Sequence, residues 1–132
     1  MKREIKFRGK RADGSSWVYG DLRQENSGNK VIMTNLSTWG DNGDNVDPYG
    51  EDVIVNPDTI GQFTGLHDKN GKEIFEGDII RNKSCKGVVV YKNGAFCLEL
   101  GKSCGYVWLF CLDSLLDIGN IYDNPELLED NL

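Results

Sequence analysis

Residues 59–80 read TIGQFTGLHDKNGKEIFEGDII, a stretch in which short apolar runs alternate with turn residues. Asn70 followed by Gly71 supplies residues that tolerate a positive φ, as tight reverse turns require. We therefore expect strands at residues 60–66 and 72–75, joined by that turn and followed by a bend into a further strand. The stretch indicates an architecture, and it contains no arrangement of residues typical of a catalytic site.

The same alternation continues on both sides of this stretch. Asn93 and Gly94 separate two apolar segments in the pattern of a β-hairpin. The first three strands of the chain are separated by short turns, which predicts a β meander. Beyond residues 59–80, strands are expected at residues 4–8, 17–22, 30–34, 52–55, 87–91 and 95–100, and residues 115–121 form a further short segment.

Two segments near the carboxyl end have distinct patterns. Residues 106–112 are apolar at every position, which predicts a central strand buried on both faces, with Trp108 and Phe110 in the core. In residues 123–129, Asn124 as cap, Pro125 at the first helical position and an acidic residue after it predict one or two helical turns.

Length and composition indicate one globular domain. The chain has 132 residues, 39% of them hydrophobic, with 16 glycines and 3 prolines, and a domain of this size can bury a core. We expect a single all-β domain over residues 1–132. It comprises an N-terminal β meander (1–58), a small open β-barrel-like half (59–122) and a tail with a helical turn (123–132). The lack of an 18-residue apolar run and of a secretory signal predicts a soluble, cytoplasmic protein.

Charge is unevenly distributed along the chain, whose net charge is −6. The first eleven residues are strongly basic, whereas residues 41–58 and 113–130 carry carboxylates without Lys or Arg. The alternation of side chains along a strand places Ile5 and Phe7 on a buried face and the basic residues on an outer face. The candidate partner-binding residues are therefore Lys6, Arg8, Lys10, Arg11, Trp17 and Tyr19.

Neither a metal nor a cofactor is expected. The four cysteines (Cys85, Cys97, Cys104 and Cys111) are spaced too widely for the paired thiolates of a zinc site, and we expect them to be buried or half-buried thiols. Residues 37–51 are rich in Asp, Asn and Gly, which predicts a long solvated loop. Calcium ligation of the EF-hand type fails there on spacing.

The sequence also predicts that the protein is not an enzyme. His67 is the only histidine and lies beside a predicted turn, where an exposed side chain without a catalytic role is expected. No nucleophile elbow, P-loop, dinucleotide fingerprint or zinc-protease motif occurs.

Three segments carry a resemblance to a known family: IGQFTGL (60–66), DKNGKEIFEGDI (68–79) and IGNIYDNPELL (118–128). With these segments the chain resembles the YopX family of phage and prophage proteins, and residues 5–8 and 17–20 are similar to the beginning of that family. The resemblance weakens at residues 37–51 and 82–86. It implies a mostly β protein encoded by bacterial mobile elements, without an established biochemical activity, and it transfers no catalytic residues.

What remains is a binding module, in two forms. The protein could form a homo-oligomer in which the basic strand meets the acidic tail, residues 123–130, of a neighbouring copy. It could alternatively bind nucleic acid, with basic residues on phosphates and Trp17 or Tyr19 stacking on bases. A host or phage protein is a further possible partner, and no membrane partner is expected.

Overall fold

The computed structural model describes residues 4–34, 52–83, 85–101 and 105–129. In these residues the protein is mostly β, 54% strand and 9% helical, with two antiparallel sheets and one short helix. This confirms the all-β prediction. The predicted loop at residues 37–51 lies outside the described residues. The chain divides into two compact units, one of residues Ile5–Gln62 and one that begins at Phe63.

The N-terminal unit contains the predicted meander. Its strands are β1 (Phe7–Lys10), β2 (Trp17–Gln24), β3 (Lys30–Thr34) and β4 (Asp52–Val55), paired in the order β4-β3-β2-β1. A 3-10 turn at Pro57–Thr59 leads into β5 (Gly61–His67), whose first two residues pair with the other side of β1. The core of this unit is formed by Val18, Ile32, Val53 and Val55, with Phe7, Leu22 and Ile60 packed against them.

The C-terminal unit contains a five-stranded antiparallel sheet in the order β10-β9-β8-β7-β11. Its strands are β7 (Asp78–Arg81), β8 (Lys86–Lys92), β9 (Ala95–Glu99), β10 (Tyr106–Trp108) and β11 (Leu116–Asn120). The end of β5 pairs with β6 (Glu73–Phe75). Among the described residues the sheets do not close into a barrel. The core contains Ile74, Ile80, Val89, Leu98, Leu109 and Leu115.

The turns follow the local sequence. Asn93 and Gly94 have φ of 54° and 85°, the backbone that a two-residue hairpin turn requires. Gly71, at φ 88°, occupies the turn between β5 and β6. The predicted helical turns are present as α1 (Glu126–Glu129). The side chain of Asn124 accepts a hydrogen bond from the Asn120 N–H at 3.2 Å, so it stabilises the turn before the helix.

Residues 106–112 differ from their prediction as a central strand. Only the three residues of β10 are extended, at the edge of the sheet, and Leu109–Cys111 form a 3-10 turn. Leu109 is fully buried, whereas Trp108 is 44% and Phe110 is 71% exposed. The prediction of Trp108 and Phe110 as core residues is therefore wrong. Because Val107 lies opposite the buried Leu98, the alternation of side chains along β10 places Tyr106 and Trp108 on the other face of the sheet, where they are exposed.

Candidate functional site

The predicted partner-binding residues of the N-terminal unit are brought together by the register of β1 and β2. Arg8 lies opposite Tyr19, and Lys10 lies opposite Trp17. The Arg8 guanidinium carbon lies 4.6 Å from the centroid of the Trp17 ring, and the Lys10 Nζ lies 5.8 Å from it. Trp17 is thus in cation–π contact with cations of its own chain.

Burial contradicts the prediction of an exposed basic face. Arg8 is only 5% exposed, while Ile5, expected in the core, is 55% exposed. The reason is that β1 begins at Phe7, so the alternation of a strand does not extend back to Ile5. Lys6, Lys10 and Arg11 are half-buried, and the Arg11 Nε donates to the Ser16 Oγ at 3.1 Å. Tyr19, at 45%, is the most exposed of the candidate residues.

A different surface in the C-terminal unit exposes more aromatic area. Tyr106, Trp108 and Phe110, which we call the aromatic ledge, are 45%, 44% and 71% exposed. The ring centroids of Trp108 and Phe110 are 6.3 Å apart. Tyr106 is held by its hydroxyl, 3.0 Å from the Glu99 Oε2, and by the Lys92 Nζ, 4.6 Å from its ring centroid. The ledge is therefore an exposed apolar surface, in which contacts with Glu99 and Lys92 hold the Tyr106 ring in place.

A pocket of about 170 Å³ adjoins the ledge and has Phe110 in its wall. Its apolar lining is Leu66, Leu112 and Leu115, and His67, Lys69 and Asp113 supply polar groups. His67 is exposed, as expected, and its ring packs edge-on against Phe63 at 5.6 Å. An apolar cavity of about 150 Å³ can hold a benzene molecule, so this pocket has room for one aromatic or branched aliphatic side chain.

One wall of the pocket is built on a buried carboxylate. The Asp68 Oδ1 accepts hydrogen bonds from the N–H groups of Asn70 and Lys72, both at 2.9 Å, and its Oδ2 accepts from the Asp117 N–H at 3.0 Å. Burial on its own would raise the pKa of Asp68, but the three backbone donors outweigh it and lower the pKa. Asp68 is therefore ionised, and its carboxylate links the turn that follows β5 to strand β11.

Asp117 behaves in the opposite way. Its side chain has no solvent exposure, and the Lys72 Nζ lies 3.4 Å from its Oδ1. Burial, together with hydrogen bonding to and repulsion from the Asp78 carboxyl, raises the pKa of Asp117 to about 8. Asp78 is itself only 1% exposed, and its Oδ2 accepts from the Phe75 N–H at 2.9 Å. Asp117 therefore keeps its proton at neutral pH, beside the buried Asp78 carboxyl.

The thiols follow the prediction in part. Cys85 is half-buried and Cys97 is buried, whereas Cys111 is exposed on the 3-10 turn, contrary to expectation. Cys104 lies outside the described residues. Burial raises the pKa of the Cys85 thiol, which makes it less reactive. Over residues 4–34, 52–83, 85–101 and 105–129, no three His, Cys, Asp or Glu side chains cluster as ligands for a metal ion.

Sequence reasoning missed the aromatic ledge. The segment predicts a continuous buried strand, but its aromatic residues alternate with Val107 and Leu109. Over residues 106–108 that alternation is the signal for a strand with one aromatic face. An unbroken apolar run does not show which of its two faces packs on the core.

The fold and this surface define a class: a two-sheet β protein with an exposed aromatic surface beside a small pocket. The chain belongs to the YopX family, whose model, described as YopX protein, matches residues 6–129. This confirms the resemblance seen in the sequence.

A comparison with curated proteins gives no match. The chain is similar to the crystal structure of protein EF1440 from Enterococcus faecalis. The TM-score is 0.51 and the identity 26%, over 96% of this chain and 99% of that one.

No helix in the described part of the chain has the length and apolar character needed to cross a membrane.

Proposed function

We propose that this protein is a phage- or prophage-encoded accessory protein that acts without catalysis, as a binding module, and that it self-associates through the aromatic ledge. The observation that supports this proposal is the exposure of Tyr106, Trp108 and Phe110 beside the pocket. Contiguous exposed apolar patches on soluble proteins commonly mark sites of interaction. Aromatic residues next to a pocket are also the usual anchors of protein interfaces.

The ledge supports this function better than the basic strand does. Self-association through the basic strand needs free cations to meet the acidic tail of a neighbour, and Arg8 is buried against Trp17. The ledge needs no charge, and an apolar contact of this kind persists when salt screens electrostatic attraction.

The proposal is tested by size exclusion with light scattering at low and high salt. We expect the wild-type chain to be an oligomer under both conditions and Trp108→Lys to be a monomer, because a charge in the ledge opposes burial. Tyr91→Lys is the matched control, since Tyr91 is 58% exposed on β8, and it should leave the oligomer intact. A wild-type chain that is monomeric at both salt concentrations would overturn the proposal. An oligomer that dissociates only in high salt would instead indicate the basic strand and the acidic tail.

Nucleic-acid binding is a second candidate function. One observation favours it: Tyr19 is 45% exposed on the face that also carries Lys10 and Trp17. An exposed aromatic ring beside cations can stack on a base while the cations contact phosphates.

A further inference from the structure

We propose that two copies of this chain pair β10 with β10 in antiparallel orientation about Val107, which joins two five-stranded sheets into one continuous sheet. This inference rests on the proposed self-association and adds its geometry and register. Three features of the C-terminal unit carry it: the direction of the backbone groups of β10, the lack of protection at this edge, and the self-complementary order of its side chains.

Among the described strands β10 pairs only with β9, which leaves its other side available for pairing. The Leu100 N–H donates to the Gly105 carbonyl at 2.9 Å, and Val107 then lies opposite Leu98. In an antiparallel ladder, residues that bond to the neighbouring strand alternate with residues whose backbone groups point away from it. Gly105 and Val107 therefore point their backbone groups toward β9, and the N–H groups of Tyr106 and Trp108 point toward the open edge.

In the described part of the chain, the edge at β10 carries three residues and none of three devices that prevent strand pairing, namely charged side chains, proline and β-bulges. The strand reads Tyr-Val-Trp. The opposite edge of the same sheet is protected, because β11 carries Asp117 and its register shifts between Asp117 and Gly119. Of the two edges of this sheet, β10 is therefore the one suited to accept another strand.

The order of side chains selects a second copy as the occupant. A two-fold contact uses the same patch twice, so the patch must complement itself. The order aromatic, aliphatic, aromatic reads the same in both directions. Pairing about Val107 places Tyr106 opposite the partner's Trp108, with the Trp108 N–H directed at the Tyr106 carbonyl of the partner subunit. Aromatic cross-strand pairs of this kind stabilise sheets.

Charge supports the same choice of partner. The chain has a net charge of −6, so two copies repel each other over most of their surfaces. Residues 105–112 contain no ionisable acid or base other than Tyr106 and Cys111 and carry no formal charge at neutral pH. Two acidic copies can therefore meet at β10 without placing carboxylates opposite one another.

The register is tested by disulfide trapping with Val107→Cys, in a chain whose Cys85, Cys97, Cys104 and Cys111 are replaced by Ala or Ser. In the proposed pair, position 107 lies opposite itself at a non-hydrogen-bonded site, where Cα atoms are about 4.5 Å apart. That distance suits a disulfide, so we expect mild oxidation to convert most of the protein to a covalent dimer.

Two matched variants control for register and for random collision. Tyr106→Cys places its thiols opposite Trp108 of the partner subunit and two residues from each other, beyond the roughly 7 Å that a disulfide spans. Tyr91→Cys is solvent-exposed on another strand. Both should form at least tenfold less dimer than Val107→Cys.

The outcomes separate this inference from the proposed function. An oligomer by light scattering with no excess of trapped Val107→Cys dimer would overturn the β10 pairing and leave self-association standing, with a heterologous contact or the pocket as its site. A monomer throughout would overturn both. If Val107→Cys does not fold, hydrogen exchange of the wild-type chain decides instead. The Tyr106 and Trp108 amides should be protected at high protein concentration and exchange at least tenfold faster on dilution, and equal exchange would overturn the pairing.

Discussion

Asp117 shows how strongly one buried residue can couple stability to pH. The ordinary pKa of its carboxyl is 3.8, and burial beside Asp78 raises it to about 8 in the folded chain. The folded state therefore holds a proton that the unfolded state releases. The stabilisation from this proton is complete below pH 4 and is lost as pH rises through 8. The charged groups around Asp117 are Asp78 on β7 and Asp68 and Lys72 on the turn after β5.

We predict that the free energy of unfolding falls by roughly 4 kcal/mol between pH 5 and pH 9, since the folded pKa of Asp117 lies about three units above pH 5 and each unit is worth about 1.4 kcal/mol. Asp117→Asn should remove most of this slope, because the amide is neutral at every pH. Chemical denaturation followed by circular dichroism measures the free energy of unfolding at several pH values. Asp113→Asn, at an exposed position in the pocket wall, is the control and should keep the wild-type slope. A wild-type stability that does not change over this pH range would contradict the raised pKa of Asp117.

Asp68 has the opposite pH dependence. Backbone donors lower its pKa despite burial, so its contribution is present above pH 4 and is lost as the pH falls below that value. Because the two windows do not overlap, these two carboxyl groups together favour the folded state most at mildly acidic pH. The sequence placed Asp68 in a turn, but it could not show that the same side chain also accepts the N–H of Asp117, 49 residues away.

At the scale of elements, the sequence could predict turns that adjacent residues specify. It could not predict side-chain burial that depends on residues distant in the chain. The hairpin of β8 and β9 is specified by Asn93 and Gly94, which adopt the positive φ that the turn needs. The burial of residues 106–112 depends on which face of β10 packs on the core, and composition carries no information about that. The prediction that Arg8 is exposed is wrong for a related reason, because a cation next to Trp17 can be covered by the aromatic ring.

The 3-10 turn after β10 gives a direct test of the corrected assignment. Leu109 is fully buried and belongs to the core of the C-terminal unit, whereas Phe110 is 71% exposed. We predict that Leu109→Ala lowers the free energy of unfolding by about 2–5 kcal/mol, as large-to-small changes in a core do. Phe110→Ser, the adjacent control, should change it by no more than about 0.5 kcal/mol.

Urea denaturation at a protein concentration low enough to keep the chain monomeric measures both variants. Equal losses of stability for Leu109→Ala and Phe110→Ser would contradict the orientation of the 3-10 turn. In that case, the aromatic ledge would be part of the core.

At the scale of the whole molecule, charge and exposed apolar surface lead to different partners. The acidic balance disfavours approach to any polyanion. The aromatic ledge is uncharged, so that balance does not oppose protein contact there. Family membership from residue 6 to residue 129 is consistent with either partner. The choice between protein and nucleic acid therefore depends on which surface is free to make contacts.

We predict that the protein does not retard single- or double-stranded oligonucleotides in an electrophoretic shift assay at micromolar protein and low salt. The reason is that binding to phosphates requires several free cations, and the structure buries Arg8 and half-buries Lys10 and Arg11. Low salt is the most sensitive condition, because affinity for nucleic acid falls steeply as salt rises. Retardation that Tyr19→Ala or Lys10→Glu abolishes, and that Trp108→Lys leaves unchanged, would contradict this prediction. It would also make the N-terminal sheet the functional surface, since only contacts on that face would then depend on these residues.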